Sequence, residues 1–265
     1  MGKTRYAAMN PKTFAIINQK GGVGKTTTAV SVSAANAKMG KRVLLIDLDP
    51  QTNASTACLD DWQLSVGEVL NQNCTVKNAI YKSREGFDVL PANYNLTATE
   101  HALLKAENKE HILSQILSSI EHEYDAIFID CSPSLNILSV NALVCAKHLI
   151  IPVQCEYYAL EGLSKLLQTI RAVSKSIGLS HQLYLLRTMY DGRNRLAVDV
   201  SNELHAHFKG ALLSTVIPRN TRLAEAPSFG QSIFSYDNSS QGAIAYLALA
   251  SELNRRITQP EHADG

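Results

Sequence analysis

No stretch of this 265-residue chain approaches the roughly 18 consecutive apolar residues that a membrane-spanning helix needs, and Met1 to Lys12 lacks the apolar core of a secretory signal. The five cysteines, Cys58, Cys74, Cys131, Cys145 and Cys155, are odd in number and never stand as C-x-x-C. That excludes a disulfide framework, a zinc ribbon and a cluster-binding iron protein, and leaves reduced core thiols. Neither sign of charge dominates: Lys+Arg 25 against Asp+Glu 24 gives a formal net charge of +1. The overall balance therefore implies no polyanionic partner, and a nucleic-acid surface has to be local. There is no repeat, no low-complexity tract and no Gly-, Ser- or Pro-rich linker. These absences describe a cytoplasmic globular chain, and its 45% hydrophobic content allows one large core or two small ones.

What is present begins with Gln19-Lys20-Gly21-Gly22-Val23-Gly24-Lys25-Thr26-Thr27-Thr28, entered from the apolar Phe14-Ala15-Ile16-Ile17. A strand that breaks into glycines and then into a Thr/Ala/Val helix aims successive backbone N–H groups at one spot. There the positive end of the helix dipole favours a polyphosphate. Gly21, Gly22, Val23, Gly24 and Thr27 form the expected cradle, Lys25 reaches the β- and γ-phosphates, and the Thr26 hydroxyl holds Mg²⁺. ATP and GTP both fit this loop. The ordinary G-x-x-x-x-G-K-[ST] pattern wants glycine where Gln19 stands, and Lys20 is a cation more than the loop needs. The bland alternative, a glycine-rich helix cap with a solvated lysine, is disfavoured by the strand before and the helix after.

Two further apolar runs end in carboxylates: Arg42-Val43-Leu44-Leu45-Ile46-Asp47-Leu48-Asp49-Pro50 and Ala126-Ile127-Phe128-Ile129-Asp130. In open α/β sheets ligands sit beyond the carboxyl ends of strands, so three strand ends converge on one site. For Asp47 and Asp49 the plainer possibility is a solvated strand end or a helix cap. Helices are expected over Thr27–Met39, within Asn95–Ile120 and over Leu135–Ala146, Leu160–Ile177 and Arg195–Phe208. Strands are expected over Phe87–Pro91, near a sheet edge, and over His148–Val153, Leu183–Met189 and Leu213–Ile217. Ile244, Leu247, Ala250, Leu253 and Ile257 mark the packed face of a terminal helix stopped by Pro260. The expectation is an α/β, doubly wound, mostly parallel sheet flanked by helices: one domain over 13–257, with an extension 1–12 and a tail 258–265.

The K-G-G-x-G-K-T-T loop resembles the deviant Walker A loop of the ParA/MinD ATPases. Leu45–Gln51, Pro152–Gly162, Thr188–Arg193 and Val216–Ser228 extend the resemblance, over nearly the whole chain, to the chromosomal ParA branch often called Soj. The resemblance implies an ATPase that takes ATP with Mg²⁺, and favours ATP over GTP. It implies that Lys20 reaches across a two-fold interface to a partner's nucleotide, so that ATP makes a homodimer. It also implies that Asp49 positions the attacking water, that Asp47 stands near the Mg²⁺ shell, that Asp130 is the Walker B carboxylate, and that Pro218 and Asn220 contact adenine. Phosphoryl transfer asks mainly for charge neutralisation and an oriented nucleophile, which suits these residue types.

From Arg187 to Arg222 there are six basic residues (Arg187, Arg193, Arg195, Lys209, Arg219, Arg222) and three acidic ones (Asp191, Asp199, Glu203), a local cationic excess that suits nonspecific double-stranded DNA. Arg193, Arg219 and Arg222 match family positions near a DNA surface; a solvated face or intrachain ion pairs are the alternative. The resemblance further implies a ParB-type centromere-binding partner and nucleoid association. Thr258–Gly265 has no bulky apolar residue, so no membrane anchor is expected there. With so short a stretch before the first strand, no operator-reading domain is expected there, and nonspecific rather than operator binding is the expectation. Ser132 stands where the family usually has proline. The segment 178–189 is about three residues short of the family pattern, and Arg187 falls where an apolar strand residue is usual. Either the strand is truncated and ATP affinity lower, or Arg187 faces outward to DNA. A second function of another class remains open: a nucleotide-sensing regulator or scaffold acting on a protein such as a replication initiator, without DNA binding or significant turnover.

Overall fold

In the computed structural model, which describes residues 10–258, the apolar runs become eight strands. They are β1 (Asn10–Ile16), β2 (Val43–Leu48), β3 (Tyr81–Lys82), β4 (Asp88–Leu90), β5 (Ala126–Cys131), β6 (Ala146–Gln154), β7 (Gln182–Tyr190) and β8 (Leu212–Pro218). Their order across the sheet is β3-β4-β2-β5-β1-β6-β7-β8, and every neighbouring pair is parallel except β3 with β4. The strand over 88–90 thus lies one place in from an edge. β2 and β5 are buried at every residue, which explains why they read as unbroken apolar runs rather than as alternation.

The helices are α1 (Lys25–Lys38), α2 (Asn53–Cys58), α3 (Val66–Leu70), α4 (Leu96–Leu103), α5 (Ile112–Leu117), α6 (Ile137–Cys145), α7 (Ala159–Ile177), α8 (Arg195–Phe208), α9 (Thr221–Glu225), α10 (Ile233–Tyr236) and α11 (Gln241–Thr258). Alternate strand residues face opposite layers. Phe14, Ile16, Leu45 and Phe128 pack in a core with α1, α2, α10 and α11, while Ala15, Leu44, Ile46 and Ile129 pack in a second core with α3 to α8. Local chemistry sets the helix ends. The Asn136, Asn194 and Asn220 side chains accept backbone N–H groups at the starts of α6, α8 and α9, and α7 ends at Gly178 in the left-handed region.

Four expectations need correction. β1 starts at Asn10, earlier than residue 13, while all of the tail but Thr258 lies outside the described residues, Pro260 included. On α11 the buried face is Ala243, Tyr246, Leu249, Ala250 and Leu253, whereas Ile244 and Leu247 are 61% and 42% exposed. β7 is not truncated: it has nine residues and keeps an unbroken register with β6 from Gln182 to Thr188. Arg187 on it does not reach outward. Its guanidinium donates to the Ser201 hydroxyl (2.9 Å) and to the carbonyls of Leu213 (2.9 Å) and Ser214 (3.2 Å), joining β7, α8 and the irregular part of β8.

Candidate functional site

The loop between β1 and α1 turns on two glycines. Gly22 (φ +73°) and Gly24 (φ +91°) occupy the left-handed region that side chains avoid, and Gly24 also lies against the Thr188 methyl. Neighbouring strands hold the loop: the Thr188 hydroxyl donates to the Val23 carbonyl (2.8 Å), and Asn18 accepts the Lys20 N–H (3.0 Å) while donating to the Pro152 carbonyl (2.7 Å). Lys25 is buried, and its ammonium donates to the Lys20 carbonyl at 3.0 Å. Burial lowers the Lys25 pKa from its ordinary value, opposed by the nearby Asp130 and Asp49 charges. Lys20 points the other way. Its half-exposed ammonium pairs with Glu156, just beyond β6, at 2.5 Å.

The carboxylates gather where β2 and β5 run side by side, with Asp47 directly opposite Asp130. Asp130 is fully buried and neither carboxylate oxygen has a hydrogen bond of ordinary geometry among the described residues. Its pKa stands well above the usual carboxylate range, first through desolvation and then through the Asp47 charge, with the Thr26 hydroxyl and the Lys25 ammonium offsetting part of the rise. Asp47 is equally buried but hydrogen-bonded on both oxygens: Oδ1 accepts the Asp49 N–H (3.0 Å), and Oδ2 accepts both the N–H (2.9 Å) and the hydroxyl (2.7 Å) of Ser55. Burial raises it to about 6 in spite of those bonds. Asp49, nearly buried, accepts the Gln51 N–H on Oδ1 at 3.0 Å.

This geometry separates two residues that the resemblance grouped. Asp130 has unspent lone pairs beside Thr26 and Lys25, so it fits a hydrated divalent cation. Asp47 spends most of its acceptor sites on the Asp49 loop and α2, which leaves it less free than Asp130 to face a cation. Ser55 and Glu156 join the site through their contacts with Asp47 and Lys20; Glu156 falls in the 152–162 stretch that carries the family resemblance, whereas only nearness to Asp49 marks Ser55 in the sequence.

Pro218 and Asn220 are not brought to the cavity beside the loop. That cavity, of about 280 Å³, is lined by Thr26, Thr27, Val30, Asn53, Leu223 and Ile233 among others. Pro218 instead lines an outer groove with Tyr190, Ile244 and Ala248, and Asn220 caps α9 through the Arg222 N–H at 2.9 Å. The three arginines also differ. Arg193 makes a two-point pair with Asp191 (2.9 and 2.8 Å), and Arg222 pairs with Glu225 (3.0 Å) and Asp237 (3.5 Å) and lies over the Tyr236 ring. Arg219 is exposed with no ion pair among the described residues.

A family model described as "AAA domain" matches residues 11–184. The sporulation initiation inhibitor protein Soj of Bacillus subtilis is 45% identical over 247 residues, covering 91% of this chain and 98% of that protein. The chain belongs to the ParA/Soj family of P-loop ATPases. The chromosome partitioning protein ParA of Caulobacter vibrioides is 42% identical over 255 residues, covering 93% of this chain and 96% of that one. Among solved structures, the cobyrinic acid a,c-diamide synthase of Mycobacterium smegmatis, with bound ATP analog and magnesium, superposes with a TM-score of 0.82. It is 34% identical and the match covers 94% of this chain and 97% of that one. As a ParA/Soj relative with this site, the chain is a partition-type ATPase. No helix among the described residues is long and apolar enough to cross a membrane.

Proposed function

We propose that this chain is an ATP-driven switch that dimerises on its nucleotide, holds DNA without sequence preference as the dimer, and lets go on hydrolysis stimulated by a ParB-type partner, so moving a chromosome or plasmid. The observation that carries the reading is the opposed pair of lysines on one loop, Lys25 buried beside Asp130 and Lys20 directed out toward solvent. A single-subunit nucleotide site has use for the first and none for the second.

The residues divide the chemistry. The N–H groups from Gly21 to Thr27 line the phosphates, and Lys25 exchanges the Lys20 carbonyl for a phosphate oxygen. Thr26 and Asp130 would hold Mg²⁺, which when bound neutralises charge on the β- and γ-phosphates. Asp49, its backbone fixed by Asp47, orients the attacking water. Lys20 leaves Glu156 for the nucleotide of the second copy. Adenine recognition by Pro218 and Asn220 stays a proposal, through main-chain groups near the β8 end. A single ATPase domain that includes β1 from Asn10, and a cytoplasmic, nucleoid-associated location, belong to the same proposal.

Sedimentation with ATP and Mg²⁺, with ADP, and with no nucleotide tests the switch. Wild type should dimerise only with ATP, Asp49→Ala should form dimers that persist, and Lys20→Ala should bind nucleotide and stay monomeric. Equal dimerisation of Lys20→Ala and wild type would remove Lys20 from the reading.

The acidic partners of Arg193 and Arg222 favour a second reading, a nucleotide-dependent regulator that acts on a protein without touching DNA. Retention on a random-sequence duplex separates the two, because counterion release makes DNA affinity fall steeply with salt. Absence of ATP-dependent retention at low salt would favour the regulator.

A further inference from the structure

We infer that Ser55 is a positioning residue for Asp49: its buried hydroxyl, acting through Asp47, holds the 49–52 loop in the shape that presents the Asp49 carboxylate. The inference rests on the proposed role of Asp49 in orienting water.

Ser55 is fully buried in the first turn of α2 and has one hydroxyl proton to give. That proton goes to Asp47 Oδ2 at 2.7 Å, alongside the Ser55 N–H at 2.9 Å, and the hydroxyl oxygen accepts the Ala92 N–H at 2.9 Å. One atom therefore ties α2 to the ends of both β2 and β4. The other oxygen of Asp47 accepts the Asp49 N–H at 3.0 Å. The chain of contacts runs from Ala92 through Ser55 and Asp47 to the Asp49 backbone, with each bond directional and out of water.

The loop it restrains is not one the backbone would adopt unaided. Thr52, buried and β-branched, has φ +57°, a left-handed conformation that such residues rarely adopt. The Thr52 N–H closes onto the Asp49 carbonyl (2.9 Å), and its carbonyl accepts both the N–H and the hydroxyl of Thr56 (2.9 Å each). Strained residues persist where their surroundings over-determine them. Here the surroundings are the Asp47–Ser55 clamp on one side and the Thr56 bonds on the other. Removing the Ser55 hydroxyl leaves the Ala92 N–H unpaired and strips Asp47 Oδ2 of one donor. Asp47 then shifts, and the Asp49 N–H shifts with it. Small displacements of an orienting group lower turnover more than they lower ground-state binding.

The test compares full-length Ser55→Ala with wild type, using ATP and Mg²⁺. We expect kcat to fall about tenfold with KM for ATP within about twofold, a pattern of lost transition-state positioning. Ser55→Thr, which keeps the hydroxyl, should recover most of the turnover. Amide hydrogen exchange should speed up at Asp49 and Ala92 in Ser55→Ala. A merely structural serine would lower the melting temperature and leave kcat unchanged below it; that result, or a raised KM with normal kcat, overturns the inference. Should Ser55→Ala not fold, Ser55→Cys, which keeps the bulk and weakens the hydrogen bond, carries the same comparison. The exchange readout needs no turnover. If Asp49→Ala hydrolyses ATP normally, the role proposed for Asp49 fails, while faster Asp49 exchange in Ser55→Ala still reports the clamp.

Discussion

The Lys20 ammonium lies 2.5 Å from the Glu156 carboxylate, while the carbonyl of the same residue accepts the Lys25 ammonium at 3.0 Å. Residue 20 therefore links the lysine that faces the loop interior with the carboxylate at the end of β6. A polyphosphate that draws Lys25 away frees the Lys20 carbonyl, while Asn18 still accepts the Lys20 N–H.

Glu156→Gln should make the ATP dimer form at lower protein concentration, because Lys20 no longer leaves a counterion. The pair is about half exposed, such pairs contribute at most about 1 kcal/mol each, and the dimer breaks two of them, so the gain should not exceed about thirtyfold in the dimer dissociation constant. Sedimentation equilibrium across ATP-saturated dilutions measures it. An unchanged or weaker dimer would mean that Glu156 does not restrain Lys20.

Asp130→Asn should stabilise the metal-free protein and abolish its response to Mg²⁺. The carboxylate is buried and neither oxygen has a hydrogen bond of ordinary geometry among the described residues, and an unsatisfied buried polar group costs about 1–3 kcal/mol, more if charged. The neutral amide recovers part of that cost. Wild type should gain melting temperature on adding Mg²⁺ with nucleotide, by mass action, and the variant should gain none of the Mg²⁺-dependent part. Thermal melts near pH 8 with and without Mg²⁺ compare the two.

Much of this site was legible because its signals are local. The glycines at 22 and 24, the apolar runs ending at 47 and 130, and helix α8, found over its expected span of Arg195–Phe208, follow from short-range pattern and backbone preference. What stayed hidden depends on partners far along the chain. Asp47 and Asp130 look alike as strand-end aspartates, and the Asp49 and Ser55 hydrogen bonds to Asp47 distinguish them. On α11 apolar residues sit on more than one face, so spacing alone chose Ile244 and Leu247, whereas packing between α1 and β8 buries Ala243 and Tyr246. Arg187 finds its acceptors on β8, where the register slips, and no local pattern announces that slip.

The stability of the metal-free protein should fall as pH rises from about 4 to 6. Asp47 has its folded pKa raised to about 6 from 3.8, so the folded chain holds that proton more tightly than the unfolded chain does. Its contribution is most favourable below about pH 4, declines through the window and is constant above it, a total of at most about 3 kcal/mol. Asp130, raised by the same burial and by its neighbour's charge, acts in the same direction. Asp125 and Asp191, lowered to about 2 by their arginine partners, slope the opposite way, but only below about pH 4. Urea midpoints across the window should show a shallower decline for Asp47→Asn than for wild type.

Arg219→Ala should weaken ATP-dependent DNA retention more than Arg193→Ala does. Arg219 is exposed without an ion pair among the described residues, whereas Asp191 already matches the Arg193 charge in a two-point contact. A phosphate that displaces Asp191 leaves that carboxylate beside it, so the net electrostatic gain from Arg193 is small. Losing one full phosphate contact reduces the slope of log affinity against log salt by about 1, and Arg219→Ala should show that change. Arg222→Ala should fall between the two and also lower the melting temperature, because Arg222 ties Glu225, Asp237 and the Tyr236 ring together. Salt titrations of duplex retention rank the three. Equal slopes for Arg219→Ala and wild type would move the DNA surface away from the β8 end.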